Sequence, residues 1–362
     1  MRPQQDIPAL RMVAWEVTRS CNLRCVHCRA SAERGPYPGE LTTQEAMAVL
    51  EDMAGFARPV VILTGGEPLL REDVLEIARR GNQLGLRMVM APNGTLLTSR
   101  RARELKEAGI QRVSISLDGS TSTTHDAFRQ VEGAFQGALE GIRAAKEAGL
   151  PFQINTTVTE KNLSELPAIL ELALSLGAVA HHIFLLVPTG RGKEMAQAAL
   201  SAQRYEETLS WFCEQESTVP LQLKATCAPQ YQRIVRQRGR SPRGAHGTGH
   251  PQSLDSVTRG CLAGWGFCFI SHVGEVQPCG YLEVGCGNVR QQPLSAIWRD
   301  SEVFHRLRDL AGYRGRCGKC EYRRVCGGCR ARAYEATGDY LSEEPLCAHQ
   351  PLGYPGCQPS GT

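Results

Sequence analysis

Cys21-Asn22-Leu23-Arg24-Cys25-Val26-His27-Cys28 sets three cysteines at C-x3-C-x2-C spacing, and the next cysteine along the chain is Cys213. An iron–sulfur cube that only stores an electron takes four thiolates. Three thiolates hold three irons and leave the fourth open to chelate a substrate. The same three residues also fit a buried core or a zinc half-site. The apolar run Met12–Val17 just before them reads as a strand. The cysteine loop therefore falls at a strand's C-terminal end.

Outward from this loop, short apolar runs alternate with helical patterns, as βα units do. Strands are expected near Met12–Val17, Val60–Leu63, Arg87–Met90, Arg112–Leu117, Phe152–Val158 and His182–Val187. Helices are expected at Thr43–Ala54, Asp73–Leu84, Ser99–Ala108, Ala134–Ala148, Leu163–Leu176 and Ala202–Thr218. Six such units predict an α/β fold, a partial (β/α)6 TIM-like barrel whose site lies at the C-terminal strand ends. The barrel is expected over 1–220 and a connecting segment over 221–258, with a mobile stretch bearing Arg233, Arg236, Arg238, Arg240 and Arg243. A cysteine-dense unit follows over 259–352, and a disordered tail with Cys357 over 353–362.

Composition narrows the class. The chain has 362 residues, 42% of them hydrophobic, and a net charge of +4, too small to argue for nucleic acid. No apolar run reaches the length of a membrane span. The N-terminal Met1-Arg2-Pro3-Gln4-Gln5-Asp6 lacks the apolar region of a secretory signal. Fifteen cysteines then read as metal ligation in a reducing cytoplasm rather than as disulfides.

Further motifs follow the strands in order. Thr64-Gly65-Gly66-Glu67-Pro68 ends the second; its glycines allow close backbone approach, and Glu67 can accept from an ammonium group. Pro92-Asn93-Gly94-Thr95 follows the third. Ser114, Ser116 and Asp118 share one face of the fourth. With the cysteine loop, this order resembles the radical S-adenosylmethionine (SAM) superfamily. The resemblance implies a [4Fe–4S] cluster on Cys21, Cys25 and Cys28 whose open iron binds the methionyl amine and carboxylate of SAM. One electron then splits the sulfonium to give a 5′-deoxyadenosyl radical. It also implies SAM contacts from Gly65, Gly66, Glu67, Asn93, Ser116, Asp118, Arg129 and Asn155. His27 stands where many members carry an aromatic residue near adenine.

The C-terminal cysteines fall into two patterns, Cys261-x12-Gly274-x4-Cys279 with Cys268 inside it, and Cys317-x2-Cys320-x5-Cys326-x2-Cys329-x17-Cys347. These resemble the SPASM extension, which carries auxiliary iron–sulfur clusters, with one departure: x2 where the pattern has x3 before Cys329. The resemblance implies one set of Cys261, Cys268, Cys279 and Cys329, and a second of Cys317, Cys320, Cys326 and Cys347. A zinc ribbon or a single auxiliary cluster also fits the spacing. Cys286 is an extra candidate, and Cys213 and Cys227 read as core thiols.

An aspartate base follows the cysteine equivalent to Cys279 in sulfatase-maturing relatives; here Gly280 and Tyr281 follow. Trp15–Arg19, Met90–Leu96, Ile154–Thr159, His182–Gly192, Phe267–Gly274 and Cys326–Tyr334 instead resemble the radical SAM enzymes of tetrapyrrole synthesis, most closely the heme synthase family of the siroheme-dependent route. That implies oxidative decarboxylation of two propionates of iron-coproporphyrin III to vinyls, with an external flavodoxin- or ferredoxin-like reductant. Side-chain removal from didecarboxysiroheme, or modification of a peptide, are the neighbouring readings. An unactivated propionate C–H calls for a carbon radical, which SAM supplies. Loss of CO2 leaves one surplus electron per vinyl, for which an auxiliary cluster is an acceptor. The substrate's carboxylates call for cations, with Arg191, Lys193 and Lys224 as candidates. His182, His272 and Tyr281 are candidates for touching the porphyrin or its iron.

Overall fold

Alternation along the strands gives the sheet two unlike faces. In β1 (Met12–Thr18) Val13, Trp15 and Val17 join the main hydrophobic core, and Glu16 points the other way. The same alternation runs through β2 (Val60–Gly65), β3 (Arg87–Met90), β4 (Val113–Ser116), β5 (Phe152–Val158), β6 (Ala180–Leu185) and β7 (Gln222–Thr226). Ile115, Ile154, Ile183 and Leu223 all face that core. Helices α1 (Thr43–Phe56), α2 (Val74–Gln83), α3 (Ser99–Glu107), α4 (Ser122–Arg129), α5 (Ala134–Glu147), α6 (Leu166–Leu176), α7 (Ala202–Gln215) and α8 (Gln230–Gln237) alternate with the strands. Thr42 starts α1 with a capping box, exchanging hydrogen bonds with Glu45. This computed structural model describes residues 7–239, 259–352 and 354.

The sheet is longer than six units. Its order is β10-β9-β8-β1-β2-β3-β4-β5-β6-β7, and every pair from β8 to β7 is parallel. β7 and α8 fall in the expected connecting segment, and α8 buries Arg233. Arg236 lies on α8 and Arg238 follows it, whereas Arg240 and Arg243 lie outside the described residues, as does the tail apart from Tyr354. β8 (Phe267–Ile270) lies in the expected second unit, yet it pairs with β1 from Met12↔Phe267 to Trp15↔Ile270. β9 (Glu275–Gln277) and β10 (Gly287–Asn288) extend that edge antiparallel. β9 and β10, of three and two residues, are too short for a period of two to show in the sequence.

The C-terminal region is bound to the barrel rather than folded apart from it. Beyond β10 come α9 (Leu294–Asp300), α10 (Glu302–Arg308), α11 (Gly315–Lys319) and α12 (Arg330–Thr337). Trp298 on α9 joins the main core and donates to Pro8 O at 2.9 Å. On α12, buried Arg332 crosses to the barrel. It donates to Glu344 at 2.9 Å, to the Tyr205 hydroxyl at 2.7 Å and to Leu186 O at 3.3 Å.

Removing one partner of a buried ion pair strands the other charge, at a cost of about 3–5 kcal/mol. Glu344→Ala is therefore expected to lower unfolding free energy by that amount. Anaerobic denaturant titration checks it; a loss under about 1 kcal/mol would mean that Tyr205 and the backbone carbonyls suffice for Arg332.

Candidate functional site

The C-terminal strand ends bring the N-terminal cysteines together. Cys21, Cys25 and Cys28 pack as one small cluster with Leu23, Ala30 and Ala32. The Leu23 N–H points at Cys21 Sγ and the Ala32 N–H at Cys28 Sγ, each at 3.4 Å. Arg129 Nη1 reaches Cys25 Sγ at 3.5 Å. Burial pushes the Cys21 thiol up to about 12. It also raises Cys25, against the pull of Arg129. Such thiols ionise when metal replaces their protons. Three sulfurs with N–H donors and a cation beside them suit a cluster held at three corners.

Neighbouring loops fix this loop's backbone. Arg191 Nε donates to Cys25 O and Nη2 to Ala32 O, both at 2.9 Å. Gly190 has φ +53, and a Cβ there would meet Arg29 O at 2.3 Å, so only glycine fits. Arg191, expected to meet a substrate carboxylate, is committed to the cysteine loop. Lys193 is 64% exposed and sits 3.5 Å from Glu335.

The glycine motif lies at the end of β2 and packs against the chain that enters the cysteine loop. A Cβ on Gly65 would meet Thr18 O at 2.2 Å, and one on Gly66 would meet Ser20 O at 2.4 Å. The glycines thus admit the chain's own entry to the cysteine loop. Glu67 is fully buried, accepting from Leu69 N at 3.0 Å and Asn93 N at 2.6 Å. Burial raises its carboxyl to about 7, against those two bonds. The Asn93 amide donates to Asn22 Oδ1 at 2.8 Å, and Asn22 donates to Thr95 Oγ1 at 2.8 Å. Asn22 was missed; its place between Cys21 and Cys25 is the only signal the sequence carries for it.

Asp118 anchors the opposite wall. Its Oδ1 accepts from Thr157 N at 2.8 Å, and its Oδ2 lies 2.5 Å from Arg129 Nη2 and 3.5 Å from His27 Nε2. Burial opposes ionisation, but the Arg129 guanidinium outweighs it and holds Asp118 below the usual carboxylate range. Arg129 ends helix α4, and its charge is shared between Asp118 and Cys25. His27 is driven down to about 4 by burial, so it stands neutral. Its Nδ1 is buried without a hydrogen-bond partner. An aromatic ring with one unanswered nitrogen suits a nucleobase.

On the face away from the helices, Ser116, Asn155, His182 and Lys224 stand in register on four adjacent strands. Asn155 accepts from Gln153 at 2.9 Å, and Gln153 lies 3.0 Å from His182 Nδ1.

Glu16 ties the cysteine loop to the C-terminal strands. It lies 3.2 Å from Arg19, 2.8 Å from Arg29 and 2.7 Å from His272 Nδ1. His272 Nδ1 thus faces a carboxylate of the chain's own. Burial works against the Glu16 charge. Arg29, the nearby His272 and Arg19 outweigh it and hold the carboxyl at about 2. Arg29 also stacks on Phe269 at 4.3 Å and reaches Gly280 O at 3.4 Å, beside Cys279 and Tyr281.

The C-terminal cysteines separate into two sets. Cys317, Cys320, Cys326 and Cys347 line a cavity with Arg233 and Arg316. Cys317 Sγ accepts from Glu344 N at 3.3 Å, while Cys320 and Cys326 accept from Tyr322 N and Gly328 N at 3.4 Å. Gly327 and Gly328, at φ +78 and +61, turn the chain so that Cys329 leaves this set. Cys329 packs with Cys261 and Cys279 in a separate cluster that also contains Cys227. Cys268 is not there; it lies in the main core with Cys286. A single zinc ion holds sulfurs about 3.8 Å apart, from Zn–S bonds of about 2.3 Å. Among the described residues no three cysteine sulfurs lie within 4.8 Å of one another; the one metal-sized grouping is Cys320, Glu321 and His349. The wider sets suit iron–sulfur clusters.

The profile of the Radical SAM superfamily matches residues 15–173, and that of the SPASM iron–sulfur cluster-binding domain matches residues 261–330. The chain is 52% identical to the AdoMet-dependent heme synthase of Nitratidesulfovibrio vulgaris, over 97% of this chain and 95% of that protein. Identity is also 52% to the enzyme of that name from Methanosarcina barkeri, over 95% and 97%. It is 34% to the pre-heme d1 synthase of Dinoroseobacter shibae, over 93% and 85%. The crystal structure of Streptococcus suis SuiB bound to S-adenosylmethionine shares the fold, with TM-score 0.72 at 14% identity, covering 94% of this chain and 78% of that one.

Glu16→Gln removes the charge that Arg29 and Arg19 share. A buried carboxyl held at about 2 instead of 4.5 contributes roughly 3 kcal/mol. That stability is complete above pH 4.5 and is lost as pH falls towards 2. Unfolding of cluster-free parent and variant should show the gap at pH 7 and a shrinking gap below pH 4. A gap that is constant with pH would mean that the carboxylate's charge is not what stabilises this joint.

Proposed function

We propose that this chain, which belongs to the radical SAM superfamily and carries a SPASM iron–sulfur domain, is an enzyme of heme biosynthesis that converts two propionates of iron-coproporphyrin III to vinyl groups, giving heme b. The observation that carries this reading is the near full-length likeness to proteins named AdoMet-dependent heme synthase, at 52% identity. Cys21, Cys25 and Cys28 would hold the N-terminal cluster, and Ser116, Asp118, Arg129, Asn155 and His27 would surround SAM. Bound there, SAM supplies a primary carbon radical that can take hydrogen from an unactivated propionate C–H.

The chain's own residues prepare that site. Arg129 offsets thiolate charge at Cys25 while its partner Asp118 keeps it aimed. Asn22, Asn93 and Glu67 fix the loops on either side of the cysteines. The inward row Ser116, Asn155, His182 and Lys224 offers hydrogen bonds and one cation to a ligand bearing carboxylates. Side-chain removal from didecarboxysiroheme is the second reading, favoured by the 34% likeness to a pre-heme d1 synthase. An external one-electron reductant of flavodoxin or ferredoxin type belongs to either reading.

Anaerobic turnover with SAM and dithionite tests the choice. Iron-coproporphyrin III should lose a carboxyl group plus one hydrogen twice, through a monovinyl intermediate seen by mass spectrometry, using at least two SAM molecules. Loss of acetate groups from didecarboxysiroheme, with iron-coproporphyrin III untouched, would move the chain to the second reading. Cys25→Ala should release no 5′-deoxyadenosine, because a cluster with two protein ligands cannot hold its open iron. Release at the parent rate would refute the role of the N-terminal cysteines.

A further inference from the structure

We propose that Cys227, not Cys268, is the fourth protein ligand of the auxiliary cluster held by Cys261, Cys279 and Cys329. The proposal rests on the SPASM domain, not on which tetrapyrrole is the substrate. Cys227 follows β7 in the barrel and precedes the matched domain at 261–330. The cluster would then bridge the barrel and the cysteine-rich region.

Packing supports the exchange from both sides. Cys227 lies in one side-chain cluster with Cys261, Cys279 and Cys329. Burial pushes its thiol well up, and Cys329, Cys279 and Cys261 each push it further. One buried pair links it to Cys329: Arg332 donates to Cys227 O at 2.6 Å and to Glu344 at 2.9 Å, and Glu344 accepts from Cys329 N at 2.7 Å.

Cys268 faces the other way. It pairs with Val13, and both side chains enter the helix-side core with Ile297 and Trp298. Its neighbour Phe269 occupies the opposite face, and Gly280, next to Cys279, packs there: a Cβ on it would lie 3.2 Å from the Phe269 ring. The sulfur of Cys286 lies near that of Cys268, with Arg308 beside them. A strand side chain cannot change faces without slipping register, which would move every neighbour along β8.

Backbone strain marks the same residue. Cys227 has φ +55, a left-handed conformation that is unfavourable for a non-glycine residue. Tyr205 Oη and Arg332 hold it there, the former donating to Cys227 O at 2.8 Å. Strain held by buried donors points to a side chain whose direction matters.

The test uses the full chain with Cys21, Cys25 and Cys28 all changed to Ala, reconstituted anaerobically, so that iron and electron paramagnetic resonance (EPR) report the C-terminal clusters alone. Cys227→Ala in this background should lose about four irons per chain or change the EPR signal of one cluster. Cys268→Ala should keep the parent's iron and signal. Should Cys227→Ala fold poorly by circular dichroism, Cys227→Ser supplies an oxygen ligand and should shift one cluster's signal. Parent-like iron and signal in both Cys227 variants, or loss of one cluster in Cys268→Ala, would overturn the assignment.

Discussion

A buried carboxylate, Glu16, is the joint on which the site depends. It stands on β1 between three cationic or polar partners that come from different parts of the chain: Arg19 and Arg29 flank the cysteines, and His272 follows β8. A charge in such a place is tolerated only when paired. Its partners therefore have little freedom, and the loop carrying Cys28 is held against the strand that leads to Cys279. An apolar contact could supply similar stability but not this direction, because hydrophobic burial is non-directional.

The same device recurs wherever two loops must keep a fixed separation. Arg71 donates to Val17 O and Leu41 O, Arg191 to Cys25 O and Ala32 O, Arg308 to Gly264 O and Trp298 O, and Arg330 to Ser342 O and Tyr340 O. Guanidinium groups suit this task, since a planar fork of donors satisfies several carbonyls at once. Loops cannot satisfy their own backbone groups as helices do, so buried ones need such partners. These arginines also bring positive charge towards the cysteine sets, as Arg330 does at 3.4 Å from Cys317 Sγ. Structure and charge compensation are thus served by the same residues.

This doubling explains what could and could not be read from the sequence. Strands β3 and β5 were legible to the residue because apolar runs bounded by turns have few other readings. The inward face of Ser114, Ser116 and Asp118 followed from a period of two. The separation of Cys326 from Cys329 followed from family spacing, and the two left-handed glycines are its cause. Arg191 was misread because an arginine bound to carbonyls looks, in sequence, like one awaiting a carboxylate. Cys268 was grouped by family resemblance, which is blind to which side of β8 it faces here. Cys227 carried no spacing signal at all; only the fold brings it beside the other three.

The two faces of the sheet show how a barrel is adapted to hold something. In an enclosed (β/α)8 barrel, bulky apolar side chains fill the interior. Here apolar filling is confined to one end, where Met12, Val60, Val89 and Phe267 gather. Above it the inward residues turn polar, from Thr64 and Glu16 round to Asn155, His182 and Lys224. Polar groups turned inward lower stability unless something answers them. The chain answers some of them itself, as Gln153 does for Asn155 and His182, and Thr157 N–H does for Asp118. His27 Nδ1 is left unanswered at the mouth. An interior that is dry at its base and polar above suits a ligand with an apolar body and carboxylate arms, since the base limits its depth and the row above meets its charges.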